Sequence, residues 1–148
     1  MGLHAVNMGC NVVAYQKNNQ KYGMTCAWAM MVDHNVLLML LGGQSETGNN
    51  LEIGDIVGVS SLAKKQDDIA LIFGDNHSTS FNKFHDVDIS IIDSAILIPD
   101  SKVQMVCKVM KIEPSIADEN DHLVYFEILK HSSDKKKKFL SLDDVLTE

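Results

Sequence analysis

The chain has 148 residues, 45% hydrophobic and 22% charged, the size and make-up of a single globular domain that needs neither disulfide nor structural metal to fold. Its net charge of -7 argues against a general nucleic-acid binder, whose surface is normally basic. All 13 basic residues are lysine, so any anion site must work without the two-pronged guanidinium of arginine.

Residues 9–17 read as a strand, with Val12, Val13 and Tyr15 supplying β propensity. Asn18-Asn19-Gln20 reads as a hairpin turn, because asparagine tolerates positive φ. Residues 21–32 resume the extended pattern, Asp33-His34-Asn35 turns again, and the apolar run 36–41 has the length of a strand buried on both faces. Three strands in succession predict an antiparallel meander. Gly42-Gly43 breaks it; Ser45 then caps a short helix reaching about residue 53, which Gly54 ends. A strand over 55–60 precedes a helix over 64–73, with Ile69, Ile72 and Phe73 on one face and Gly74 as its stop. Residues 75–93 lack clear periodicity and read as a long loop, of the kind that often carries function in a compact domain.

A short strand over 94–98 ends at Pro99. Residues 103–112 alternate, with Val103, Met105, Cys107 and Val109 on one face, and 123–130 form the last strand, with Tyr125 and Phe126 on opposite faces. From Asp134 the chain carries four lysines, Lys135 to Lys138, which read as a solvated tail, with a patch for an acidic partner as the alternative. Periodicity and turns together predict an antiparallel β barrel or sandwich with inserted helices, and no function.

Cys10, Cys26 and Cys107 form no CxxC pair and read as reduced core thiols. The six histidines show no HxH or HxxxH spacing, so a zinc or iron site is not expected. No basic region leads into an apolar run at the start, and the longest apolar stretch, 36–41, is too short to span a bilayer. A cytoplasmic location without membrane or nucleic-acid partners is the expectation. On physical grounds the best anion candidate is residues 42–49, where two glycines, the hydroxyls of Ser45 and Thr47 and a helix start lie together.

Four segments resemble, in order and spacing, those of the flavin reductase family. Tyr22-Gly23-Met24-Thr25-Cys26-Ala27-Trp28-Ala29 is similar to the family's "N-G-M-T-A-S-W" strand. Gly42-Gly43-Gln44-Ser45-Glu46-Thr47-Gly48-Asn49 stands where the family has a polar "K-x-S-x-T" stretch. Gln66 to Gly74 matches "Q-x-D-L-A-x-x-F-G", and Asn82-Lys83-Phe84 matches "D-K-F". The resemblance covers roughly residues 9–130 and implies a single mainly β domain, an FMN-binding split β-barrel of Greek-key type with short inserted helices, working as a homodimer with FMN at the interface.

It also implies an NAD(P)H-dependent flavin reductase that passes electrons through bound flavin. The alternatives are an FMN electron-transfer protein of the flavoredoxin type, reduced by a partner protein, and a split barrel that has lost flavin. By resemblance Met24, Thr25, Cys26, Ala27, Trp28 and Ala29 run beside the flavin ring, against the plain alternative of a barrel strand with its Met and Trp in the core. Gly42, Gly43, Gln44, Ser45, Thr47, Gly48 and Asn49 would meet the phosphate. His77 falls where family members often carry "S-G-R", and Lys83 is left as the cation of that region. No catalytic side chain is implied, because the flavin holds the hydride chemistry.

Overall fold

The computed structural model describes residues 3–75 and 83–146, and within them nine strands form one antiparallel sheet that rolls up without closing. In chain order these are β1 (Asn11–Lys17), β2 (Gln20–Cys26), β3 (Ala29–Asp33), β4 (Val36–Leu41), α1 (Glu46–Asn49), β5 (Ile56–Ser61), α2 (Asp67–Asp75), β6 (Ser90–Ile92), β7 (Ala95–Leu97), β8 (Val103–Pro114), β9 (His122–Ser133) and α3 (Leu142–Leu146). The hydrogen-bonded order is β3-β4-β9-β8-β5-β1-β7-β6, with β2 also paired to β1.

The roll follows from two neighbouring strands. β2 and β3 are separated only by Ala27 and Trp28, yet they stand at opposite ends of the path β2-β1-β5-β8-β9-β4-β3. Three peptide steps reach at most about 11 Å, whereas seven strands laid flat would put the end strands about 29 Å apart. The sheet therefore curls until its ends nearly meet, and Ala27-Trp28 bridges the gap between them. The predicted meander is corrected here: β1–β2 and β3–β4 are separate hairpins, and residues 21–32 are not one strand.

The barrel interior holds Val13, Tyr15, Met39, Leu41, Val57, Val59, Cys107, Val124 and Phe126, all essentially without exposure. Burying a phenylalanine such as Phe126 contributes roughly 2–3 kcal/mol. β1 is buried on both faces, since Val12 and Ala14 point outward into a second core with Leu62, Ala70, Phe73, Ile96 and Leu140. β4 is not: Leu37, Met39 and Leu41 face the interior, while Val36, Leu38 and Leu40 are only half-buried outside.

Other predicted boundaries move for local reasons. Ser45 does cap α1, but the helix has four residues, and Gly54, at φ +96°, serves the turn into β5. α2 runs through Gly74 to Asp75, because a glycine without a left-handed φ does not end a helix. The described part of the predicted loop contains β6, hairpinned to β7 through Asp93 at φ 55°. β8 keeps its predicted face, with Val103, Met105, Cys107 and Val109 toward the barrel interior, and Val106 is buried as well because Ala95, Leu97 and Ile56 cover the other face. Leu129 of β9 and Met110 of β8 are the extra residues at the two register shifts between these strands. The end of the chain is no free tail: Phe139 bridges to Ala63, Ser141 to Gly9, and Leu140 is buried. Among the described residues no helix is long and apolar enough to cross a membrane.

Candidate functional site

The gap between β2 and β3 is built from backbone. Asn11 Nδ2 donates to Cys26 O at 3.0 Å, and Ser61 Oγ donates to Asn11 Oδ1 at 2.7 Å, so β1 and β5 fix the end of β2. Ala29 N donates to Ala27 O at 3.0 Å and Leu40 N to Trp28 O at 2.9 Å, which fixes the start of β3 against β4. Among the described residues nothing accepts from the N–H groups of Ala27 and Trp28. Two adjacent backbone donors without acceptors in a bent connection are a ready site for ligand oxygens or ring nitrogens.

The side chains of this strip divide by role. The Cys26 thiol is buried, lies 3.4 Å from Trp28 O and 3.2 Å from Leu40 O, and pins the crossover rather than facing a ligand. Burial pushes it up to about 12, so it holds its proton at neutral pH. Thr25 Oγ1 donates to Ala70 O of α2 at 2.7 Å, which leaves that oxygen only as an acceptor. Met24, Ala27 and Ala29 are half-buried. Met24 and Ala29 pack against the barrel core, as a plain barrel strand would have them, but Trp28 is 60% exposed and so is not a core residue. Beside it opens a mostly apolar groove of about 550 Å³, lined among others by Asn11, Ala29, Met31, Ser61, Met105 and Phe139.

Behind the strip, three of the four matched segments converge. A Cβ on Gly23 would lie 2.8 Å from Phe73 Cε1 and 2.9 Å from Phe84 Cζ. Only glycine lets the two rings, 5.1 Å apart and edge-on at 66°, close over β2. Lys83 completes this clamp. It is 4% exposed, and its ammonium donates to Gly23 O at 2.8 Å and Phe73 O at 3.2 Å. Burial holds it at about 8, below its usual 10.5. Lys83 is thus neither a surface lysine nor an outward cation: it ties the edge of β2 to the end of α2, and so positions Thr25 and the strip beyond it.

The loop at 42–49 also differs from expectation. Gly43 approaches the Asn120 carbonyl so closely that a Cβ would overlap it, and Gly43 N donates to Asp121 Oδ1 at 2.7 Å. The close approach that the glycines permit is therefore to the β8–β9 turn, and it brings a carboxylate rather than a cation. Thr47 is 1% exposed and its carbonyl accepts from Tyr15 Oη at 2.6 Å, so its side chain is not on the surface. Ser45 Oγ accepts from Gly48 N at 2.8 Å, which leaves its own proton free to donate outward. Gly48 is buried, and Gln44 is exposed with no acceptor for its N–H among the described residues. Asn49 bridges Gly43 O at 2.8 Å and His122 Nε2 at 3.1 Å. His77 and Asn82 lie outside the described residues. Asp121 and His122 belong to no motif; only the folding of the β8–β9 turn onto the loop reveals them.

A flavin asks for a flat apolar shelf, donors along one ring edge and donors for a phosphate. The strip fits the first two demands, with its groove, the exposed Trp28 and the unpaired N–H groups of Ala27 and Trp28. For the third, Ser45 Oγ–H and Gln44 N–H remain, next to the adverse charge of Asp121.

Comparison with known proteins gives the same direction. The family model described as "Flavin reductase like domain" matches residues 3–142. No curated protein matches the chain. Among solved structures, the NADH:FAD oxidoreductase SgcE6 of Streptomyces globisporus C-1027 is 18% identical with a TM-score of 0.83, over 95% of this chain and 84% of that one. A putative flavin reductase of Haemophilus somnus is 13% identical with a TM-score of 0.83, over 95% of this chain and 90% of that one. The FMN-binding protein of Thermus thermophilus, with bound 1-cyclohex-2-enone, is 10% identical with a TM-score of 0.77, over 92% and 79%. At such identities the likeness establishes the fold, a split barrel, and the family model adds the lineage: the chain belongs to the flavin reductase-like domain family.

Proposed function

We propose that the protein is a flavin reductase that binds FMN along Thr25–Ala29 and takes its electrons from NAD(P)H. The observation that carries this reading is the pair of N–H groups at Ala27 and Trp28, which have no acceptor among the described residues and are set at the split of the barrel beside an apolar groove. A bound flavin supplies the hydride and electron chemistry. The chain's part is to bind and orient. The Ala27 and Trp28 amides donate to the polar edge of the ring, Trp28 screens it from water, and Ser45 Oγ–H with Gln44 N–H donates to the phosphate. Lys83, Phe73 and Phe84 hold the strip rigid from behind.

The same reading includes a homodimer. The outer face of β3, β4 and β9 carries Trp28, Met30, Leu38, Leu40, Leu123 and Tyr125, by the alternation that sends Met39, Val124 and Phe126 inward. Soluble monomers rarely leave such a contiguous apolar face uncovered, and a second copy placed over it would flank the strip.

One observation favours a second reading, an FMN electron carrier reduced by another protein. Lys83, the basic residue that the matched loop offered to the phosphates of a nicotinamide nucleotide, is turned inward. Two measurements decide. An absorption spectrum of the purified protein after incubation with FMN or FAD and gel filtration tests flavin binding; a spectrum without flavin bands for either would refute both readings. Oxidation of NADH or NADPH in the presence of FMN separates them, since turnover supports the reductase, and bound flavin without turnover supports the carrier.

A further inference from the structure

The four lysines after Asp134 are held by the fold and not left to solvent. Lys64 N donates to Lys138 O at 2.9 Å, Leu140 N donates to Leu62 O at 2.9 Å, and Phe139 bridges to Ala63. Lys137 Nζ donates to Asp100 O at 2.8 Å, which fixes the segment from its other side. These bonds lay residues 135–138 alongside Lys64-Lys65. Six of the chain's 13 lysines are thereby gathered in one place, on a chain with 20 acidic residues and a net charge of -7. Lys64, Lys65, Lys135, Lys136 and Lys138 are exposed and, among the described residues, make no ion pair. A groove of about 670 Å³ runs between the two lysine segments, walled largely by their aliphatic stems.

We infer that this lysine face docks an acidic segment of a partner protein. Three features favour that occupant. The lysines come from two separate segments and spread over a surface with no arginine fork; the buried Gln66 in the groove's lining spends its amide on Pro99 O, and Asp100, also in the lining, is paired to Lys137, which suits a diffuse acidic surface on the exposed lysines better than one phosphate. The remainder of the molecule is acidic, so it repels an acidic partner everywhere else and orients it onto this face. The location is useful as well: Phe139, the residue after the last lysine, lines the groove beside the strip, so a partner on the lysine face lies next to the candidate site. The inference does not depend on which cofactor the strip holds, and its test reads binding alone.

The test uses the full-length protein and fluorescein-labelled poly-L-glutamate as the acidic probe, followed by fluorescence anisotropy at about 20 mM and about 200 mM salt, where the screening length shortens from roughly 20 Å to under 10 Å. The wild type should bind at low salt and weaken about tenfold at high salt. The variant Lys64→Glu/Lys65→Glu/Lys136→Glu/Lys138→Glu should lose at least about tenfold at low salt, and the glutamine variant at the same four positions a smaller part of that. The control Lys21→Glu/Lys108→Glu, at exposed sites on β2 and β8, should stay within about twofold of wild type. Circular dichroism on each variant confirms folding, and the glutamine set stands in if the reversal does not fold. Unchanged binding by the folded variants, an equal loss in the control, or no binding by wild type would overturn the inference. Tighter binding to a single-stranded oligonucleotide of matched charge than to poly-L-glutamate would also overturn it, by reassigning the face to nucleic acid.

Discussion

Replacing Lys83 by methionine separates a structural lysine from a ligand-binding one. Methionine fills most of the volume but donates nothing, so Gly23 O and Phe73 O lose bonds of 2.8 and 3.2 Å in a buried place. Two charge-assisted bonds contribute roughly 3–6 kcal/mol together. Against this stands the burial of the ammonium, whose descent from 10.5 to about 8 corresponds to roughly 3 kcal/mol of lost charge solvation. The net loss at pH 7 should therefore be about 0–3 kcal/mol. The pH dependence is more specific. Because the folded-state value is the lower one, the unfolded chain binds the extra proton between pH 8 and 10.5, and the wild type gains stability as pH rises through that window. The variant cannot, so its deficit should widen by up to roughly 3 kcal/mol from pH 7 to 10.5. Urea unfolding of both proteins across that range measures it, since all other groups titrate alike in the two. A gap that stays constant or narrows, or a stability change within about 0.5 kcal/mol coupled to lost FMN affinity at pH 7, would refute the clamp and return Lys83 to the ligand.

The clamp makes a second claim at Gly23. Gly23→Ala must push apart the Phe73 and Phe84 rings and should cost about 1–3 kcal/mol, lowering the melting temperature by roughly 3–10 °C; an unchanged melt would mean the rings move freely. At the 42–49 loop, Asp121→Asn keeps an acceptor for Gly43 N but removes the charge. FMN should then bind roughly two- to fivefold more tightly, with riboflavin affinity unchanged, as titration by flavin fluorescence would show; equal changes for both ligands would place the phosphate elsewhere. Met30→Glu puts a charge on the β3 edge of the outer apolar face, beside Leu38, and should turn a dimer into a monomer by light scattering at micromolar concentration. A wild type that is already monomeric with flavin bound would refute the shared interface.

The sequence determined the elements and the lineage. Alternation and turn residues were enough to find β1, the Asn18-Asn19 hairpin, β5, β8 and β9, because these signals are local, and the matched segments were enough to name the family. The sequence could not show that residues 21–32 break at Ala27-Trp28, since no glycine or proline marks the place. The break exists because the ends of a rolled sheet must be joined there, and that same closure leaves two amides without acceptors among the described residues. Nor could it tell a lysine facing a ligand from one capping buried carbonyls: Lys83 reads the same in either role until Gly23 and Phe73 surround it. Asp121 likewise carries no local signal, and the run Lys135 to Lys138, visible in the sequence, does not show that Lys64 and Lys65 join it, because the pairing of distant strands and the return of the chain along Ala63 decide which charges become neighbours.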